Sequence, residues 1–356
     1  MMQISLCMIV KNEEKVLERC LKSIAPFVKE IIIVDTGSTD STVQIAKRFT
    51  DKVFFFEWIN DFSAARNFAF SKTTMPYIMW MDADDILKEK DQKLFKEFLT
   101  NAPLENDVFY LKYDVAFDEF DNTTFSYFRE RIFKREKNPV WIDPIHETCF
   151  CAGKHHFIDI AISHKKEKVA SPKRNLNIYN KLKREKRPFS ARMTYYYARE
   201  LSAHKFYNKA LKEFKKFLKM PDGWSQNKIE ACFEMAKIYF EKKEFTSALK
   251  ILFESFCHGL PNGEVLCLIG QIYFELNNYS FAIYWYEQAL EKAVKPQNGF
   301  VQEDFYGYVP AINLCVLYHR LGNNFKAKYY NDIAGKHKPL DEAFLFNKNF
   351  FETLKD

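Results

Sequence analysis

The hydrophobic pattern changes period partway along the chain. Ile4–Val10 is an unbroken apolar run, and Glu30–Val34 is a short β-branched one. Such runs mark strands buried on both faces. Between them, Val16, Leu17, Cys20, Leu21 and Ile24 recur at helical spacing, which predicts a helix over 12–25. Ser38-Thr39-Asp40-Ser41 supplies cap residues for a helix over 41–49. A third strand follows at Lys52–Phe56, a helix at Asn60–Ser71 and a fourth strand at Tyr77–Met81. This alternation predicts an α/β unit built on a mostly parallel sheet with helices on both faces. Ligands of such sheets bind beyond the carboxyl ends of the strands, where Asn12, Asp35 and Asp82 all fall.

From about residue 190 the pattern is helical only, and it repeats. Ile238-Tyr239-Phe240-Glu241 returns 34 residues later as Ile272-Tyr273-Phe274-Glu275. At the same offset Ala236 matches Gly270, Phe245 matches Tyr279 and Ala248 matches Ala282. That period, with small residues where two helices cross, is the tetratricopeptide pattern. Ala198, Leu201, Ala210 and Phe214 make a weaker copy before it, and Cys315, Tyr318, Ala327 and Pro339 one after it. Four repeats are expected, the outer two degenerate, and the domains are drawn at 1–188 and 189–356. Stacked repeats form a concave surface suited to a peptide or protein, or they stabilise the first domain, or they pair two copies as a homodimer.

Composition narrows the class. Of 356 residues, 47% are hydrophobic and 28% charged, which excludes a disordered chain. A net charge of +6 is mild for a nucleic-acid binder. The start lacks a basic region followed by a cleavable apolar run, and no stretch reaches the roughly 20 apolar residues of a membrane span, so a cytoplasmic protein is expected. The eight cysteines are scattered, as reduced core thiols are. Cys149, Cys151, His155 and His156 offer four soft ligands, but in no common zinc spacing. Strand residues around a turn at Gly153 explain them as well.

The chemistry concentrates after the fourth strand. In Asp82-Ala83-Asp84-Asp85, two carboxylates spaced i, i+2 suit a hard cation shared with a diphosphate, although acidic turns are common after strands. Asp35 suits a base or ribose. Arg66, in Asn60-Asp61-Phe62-Ser63-Ala64-Ala65-Arg66-Asn67, has a fork suited to phosphate or carboxylate, or to a surface ion pair.

These segments, in this order, resemble family 2 glycosyltransferases of the GT-A fold. The matching parts are Met8-Ile9-Val10-Lys11-Asn12-Glu13-Glu14, Asp35-Thr36-Gly37-Ser38-Thr39-Asp40, the segment around Arg66 and the Asp82–Asp85 segment. Arg129-Glu130-Arg131-Ile132-Phe133, Trp141 and Ile145-His146-Glu147 extend the match into a subgroup that carries tetratricopeptide repeats, the sublancin-type peptide S-glycosyltransferases among them. The resemblance implies a GT-A nucleotide-diphospho-sugar transferase domain followed by an all-α repeat domain. It implies an inverting hexosyltransferase using a UDP-sugar such as UDP-glucose or UDP-N-acetylglucosamine, with Mn²⁺ or Mg²⁺. Val10, Asn12, Glu14, Asp35, Arg66, Asp82, Ala83 and Asp84 are the implied donor-binding residues. Asp82, Asp84 and His164 are the implied metal ligands. After His164 the chain departs from the family pattern and reads Lys165-Lys166-Glu167, lysines suited to phosphate or to a solvated loop. Arg174 and Asn175 match the basic start of the next helix. Glu147, His146 and Asp84 are the candidates for the catalytic base. The acceptor expected is a peptide or protein side chain, through oxygen or sulfur. A glycan or lipid-linked acceptor, or a non-catalytic scaffold, are the alternatives.

Overall fold

The computed structural model describes residues 2–167, 173–296 and 301–354. The chain divides into two compact units, Met1–Arg187 and Pro188–Asp356. No helix among the described residues is long and apolar enough to cross a membrane.

In the first unit, β1 (Ile4–Val10), β2 (Glu30–Asp35), β3 (Val53–Phe55) and β4 (Tyr77–Trp80) form the parallel half of a mixed sheet, in the order β3-β2-β1-β4. α1 (Leu17–Ile24), α2 (Thr42–Lys47) and α3 (Phe62–Phe70) make the crossovers. Beyond β4 come β5 (Asp85–Leu87), α4 (Glu89–Asn101), β6 (Val108–Phe117), β7 (Thr123–Lys134), β8 (Val140–Ile142), β9 (Thr148–Phe150), β10 (His155–His164) and α5 (Arg174–Arg184). The sheet continues β4-β7-β6-β10-β5, with β7 antiparallel to both neighbours and β5 antiparallel to β10. β8 and β9 form a separate hairpin. Alternate residues of β1 feed two cores. Ile4, Leu6, Met8 and Val10 pack with Leu17, Leu21 and Phe95 on one face, and Cys7 packs with Ala69, Phe70 and Trp141 on the other.

The first helix starts five residues later than its periodicity predicts. Residues 12–16 are held as a loop instead. Asn12 is left-handed, at φ +54°, and the Asn12, Glu13 and Glu14 amides donate to Ser38, Thr42 and Asp40 across the neighbouring loop.

A buried polar knot fastens the opposite end of β2. Glu30 accepts from the Ser5 hydroxyl, from Lys52, and from the Thr74 amide and hydroxyl, each of these last two at 2.9 Å. Burial pushes this carboxyl up, but the four donors outweigh burial and bring it down to about 2 from an ordinary 4.5. A depressed carboxylate contributes stability above its unfolded pKa and loses it as the pH falls through the folded one. Urea stability should therefore decline between pH 4.5 and about 2, and Glu30→Gln should be less stable at neutral pH and flatter across that window. An unchanged slope in the variant would remove Glu30 as the source.

The second unit is built mainly of α-helices, nine of them among the described residues. α6 (Ala191–Ala203) pairs with α7 (Tyr207–Leu218), α8 (Ser225–Glu241) with α9 (Phe245–Glu254), α10 (Gly263–Glu275) with α11 (Tyr279–Lys292), and α12 (Tyr308–Arg320) with α13 (Asn324–His337). α14 (Glu342–Thr353) closes the series. The repeating small residues sit where the helices approach. Ala198, Ala236, Ala210, Ala248, Ala282 and Ala327 are wholly buried, and a Cβ on Gly270 would lie 3.1 Å from the Tyr286 ring. Each pair turns in the same way. Lys205, Lys243, Asn277 and Gly322 are left-handed, and the next amide returns to a carbonyl five residues back, as Glu244 does to Tyr239 at 2.9 Å. The outer pairs, weak in sequence, carry the same turn as the inner ones.

Candidate functional site

The site forms where β4 ends. A tight turn closes on itself: the Asp85 amide donates to the Asp82 carbonyl at 3.1 Å, and the Asp82 amide to Asp85 Oδ2 at 3.0 Å. Asp85 opens β5, which pairs with β10 so that Asp85 lies opposite His164. The imidazole Nδ1 is 3.0 Å from Asp85 Oδ1 and 3.2 Å from Asp84 Oδ1. Asp84, Asp85 and His164 are the metal-capable cluster found among the described residues. Asp85 thus joins Asp84 and His164 in the place where Asp82 was expected.

Asp82 is held elsewhere. Arg66, from the middle of α3, donates from Nη2 to Asp82 Oδ1 and from Nε to Glu147 Oε1, both at 2.8 Å. Its guanidinium lies 4.5 Å from the Trp80 ring centroid and 4.8 Å from that of Trp141. α3 can deliver this buried charge because Asp61 caps it, accepting from the Ala64 amide. Burial pushes Asp82 up, but Arg66 and Arg131 overcome burial and hold its carboxyl well below the usual range. Asp84 moves the other way. Burial, then the neighbouring charges of Asp82 and Asp85, push it up, with His164 opposing. Burial lowers His164, but Asp85, Asp84 and Asp82 more than restore it, and its pKa ends raised. An acid cluster that strains to keep Asp84 charged, built of oxygen and imidazole donors, fits a hard divalent cation.

The neighbouring strand ends form a stitched rim. Val10 lies opposite Asp35 in the β1–β2 register. Asp35 accepts from the amides of Gly37 and Ser38, the Gly37 turn requiring a left-handed φ of +100°. Asn12 Oδ1 accepts from the Thr39 amide at 2.7 Å, and Glu14 from the Ser41 amide at 3.1 Å. The Val10 and Ala83 side chains are part of the core. Arg66, Asp82, Asp84 and His164 are brought together, whereas Asn12, Asp35 and Glu14 hold one another's loops.

Glu147 is buried in its pair with Arg66, and its carbonyl accepts from Arg129 at 2.9 Å. His146 is left-handed at φ +53°, and its ring lies parallel to that of Tyr179. Lys165 pairs with Asp121, its ammonium over the Phe117 ring, while Lys166 is exposed. Arg174 opens α5 with its guanidinium 5.0 Å from the Phe62 ring. Among the described residues Cys149 and Cys151 join no metal-capable cluster. They are free thiols, and burial pushes Cys151 up to about 11.

Two residues were given no role by the motif reading. Arg131 is wholly buried and donates to Asp85 Oδ2 at 3.1 Å. The Tyr113 hydroxyl donates to Asp85 Oδ1 at 2.8 Å. Arg131 lies in the Arg129–Phe133 segment of the resemblance without a role there, and Tyr113 has no local signal.

Residues 5–159 match the Glycosyl transferase family 2 model. A TPR repeat-containing protein of Synechococcus elongatus is 47% identical over 87 residues, which is 24% of this chain and 22% of that protein. The SPbeta prophage-derived glycosyltransferase SunS of Bacillus subtilis is 42% identical over 91 residues, 25% of this chain and 22% of that protein. The matched stretches therefore span about a fifth of these relatives' length. The crystal structure of S. aureus TarS 1-349 aligns over 81% of this chain and 91% of that one, at 14% identity and a TM-score of 0.37. Residues 5–159, which hold the mixed sheet and the carboxylate cluster, thus carry the similarity to glycosyl transferase family 2, and the paired helices of the second unit follow the tetratricopeptide arrangement.

Proposed function

We propose that this protein transfers a hexose from a nucleotide sugar, in the first instance a UDP-sugar, to a peptide or protein side chain, with inversion and with a divalent cation. The observation that carries this reading is the Asp84–Asp85–His164 cluster beside the Asp82–Arg66 pair, at the carboxyl ends of parallel strands. Asp84 and His164 would hold Mn²⁺ or Mg²⁺. When bound, that cation neutralises charge on the departing diphosphate. Arg66 orients Asp82 by one oxygen and leaves the other for the donor, its fork being committed to two carboxylates rather than to phosphate. The rim of Asn12, Glu14 and Asp35 gives the nucleoside a rigid wall. Inversion needs a base on the acceptor side. Glu147, His146 and Asp84 are the candidates, and His146 is preferred for its backbone. Its left-handed backbone is a conformation that non-glycine residues hold chiefly under constraint. The repeat region is assigned the recognition of the acceptor chain.

The test is a thermal-shift screen of UDP-, GDP- and TDP-sugars with and without Mn²⁺. A donor at a hundred times its Kd stabilises the folded state by about 2.7 kcal/mol. For a unit of this size that is a rise of roughly 5–10 °C. A screen in which no nucleotide sugar plus metal shifts the melt sinks the reading.

A further inference from the structure

Resting on that metal-assisted reading, we infer that Asp85 is a positioning residue rather than a ligand. With Tyr113 and Arg131 it fixes the His164 imidazole so that Nδ1 is engaged by the protein and Nε2 is left for the cation. Three observations converge on this. The Asp85 carboxylate is wholly buried and already engaged on both oxygens. Oδ1 accepts from Tyr113 and lies 3.0 Å from His164 Nδ1, and Oδ2 accepts from the Asp82 amide and from Arg131. The Arg131 guanidinium is itself immobilised between two rings, 3.8 Å from the Trp80 centroid and 4.2 Å from that of Tyr113. A cation taking Asp85 would have to displace one of these buried partners and leave it stranded.

The hydrogens then assign the tautomer. The Tyr113 hydroxyl has one proton, and Asp85 Oδ1 accepts it at 2.8 Å. The phenol oxygen lies 2.8 Å from His164 Nδ1, so in this contact it accepts. Nδ1 therefore carries its hydrogen toward the oxygens of Asp85 and Tyr113, with Asp84 Oδ1 on the same side at 3.2 Å, and in the neutral ring Nε2 holds the lone pair. Among the described residues nothing pairs with Nε2. A carboxylate on the far nitrogen is how metal-binding histidines are oriented and made more basic.

The experiment is a calorimetric Mn²⁺ titration of the full chain with UDP present, on the wild type, Tyr113→Phe, Asp85→Asn, His164→Ala and each double variant with His164→Ala. Tyr113→Phe and Asp85→Asn should each weaken Mn²⁺ about tenfold, the lower end for an outer-shell partner. Neither should cost anything further once His164 is gone, because both act through it. If Asp85 is a ligand, Asp85→Asn costs affinity in the His164→Ala background too, and the inference is overturned. Tyr113→Phe binding Mn²⁺ as the wild type does overturns it as well. Where Asp85→Asn does not fold, because it strands the Arg131 charge, the Tyr113→Phe cycle decides alone. A wild type that binds no Mn²⁺ with UDP overturns the metal reading itself and this inference with it. A wild type that binds, and loses Mn²⁺ in His164→Ala alone, overturns only the inference.

Discussion

Asp84→Asn should cut donor turnover about a thousandfold while leaving the melting temperature unchanged or slightly higher. The two halves of this expectation have separate causes. A ligand lost from a catalytic cation removes several kcal/mol of charge stabilisation on the leaving diphosphate, and each 1.36 kcal/mol is tenfold in rate. The fold does not share the loss. Burial and the charges of Asp82 and Asp85 push the Asp84 carboxyl up more than His164 brings it down, so a neutral amide relieves more repulsion than it loses in the His164 contact. UDP release in the presence of Mn²⁺, read beside a thermal melt, checks both halves. Full turnover in the variant would end the role given to Asp84, and a collapsed melt would show that its charge is structural.

Arg66→Met should do the opposite and destabilise the first unit by about 3–5 kcal/mol, the usual cost of removing one partner from a buried ion pair. Methionine restores much of the volume between Trp80 and Trp141 but removes the guanidinium that Glu147 and Asp82 share. Protonation relieves carboxylates that have lost their shared guanidinium. The deficit should therefore shrink as the pH falls toward the ordinary carboxylate range, the reverse of the Glu30 behaviour. Arg66→Lys should recover only part of the loss, because a point charge cannot bridge both carboxylates as the planar fork does. Urea unfolding followed by tryptophan fluorescence at neutral and mildly acidic pH measures this. A pH-independent deficit would mean that lost packing, not stranded charge, is the cause.

The contrast between these two aspartates shows where sequence reading stops. Asp82 and Asp84 sit two residues apart, and the i, i+2 spacing treats them as equals. Long-range contacts separate them. Arg66 reaches Asp82 from α3, while His164 reaches Asp84 and Asp85 by way of a strand partner 79 residues on. No local pattern encodes which of two neighbouring carboxylates receives the cation and which the imidazole. The same limit hid Arg131, whose burial makes sense only once Asp85 and two aromatic rings surround it.

Sequence by itself determined whatever depends on local period: the alternation of buried strands and amphipathic helices, the carboxylates at strand ends, and the 34-residue return of small and aromatic residues in paired helices. Those features follow from which face of an element must leave water, and burial acts residue by residue. Only the tertiary structure decided the late start of the first helix, where hydrogen bonds to the next loop outweigh helical spacing over residues 12–16. It also decided the antiparallel insertion of β7 and the register that sets His164 against Asp85. Each is a pairing between segments far apart in the chain, and its energy belongs to the pair rather than to either sequence.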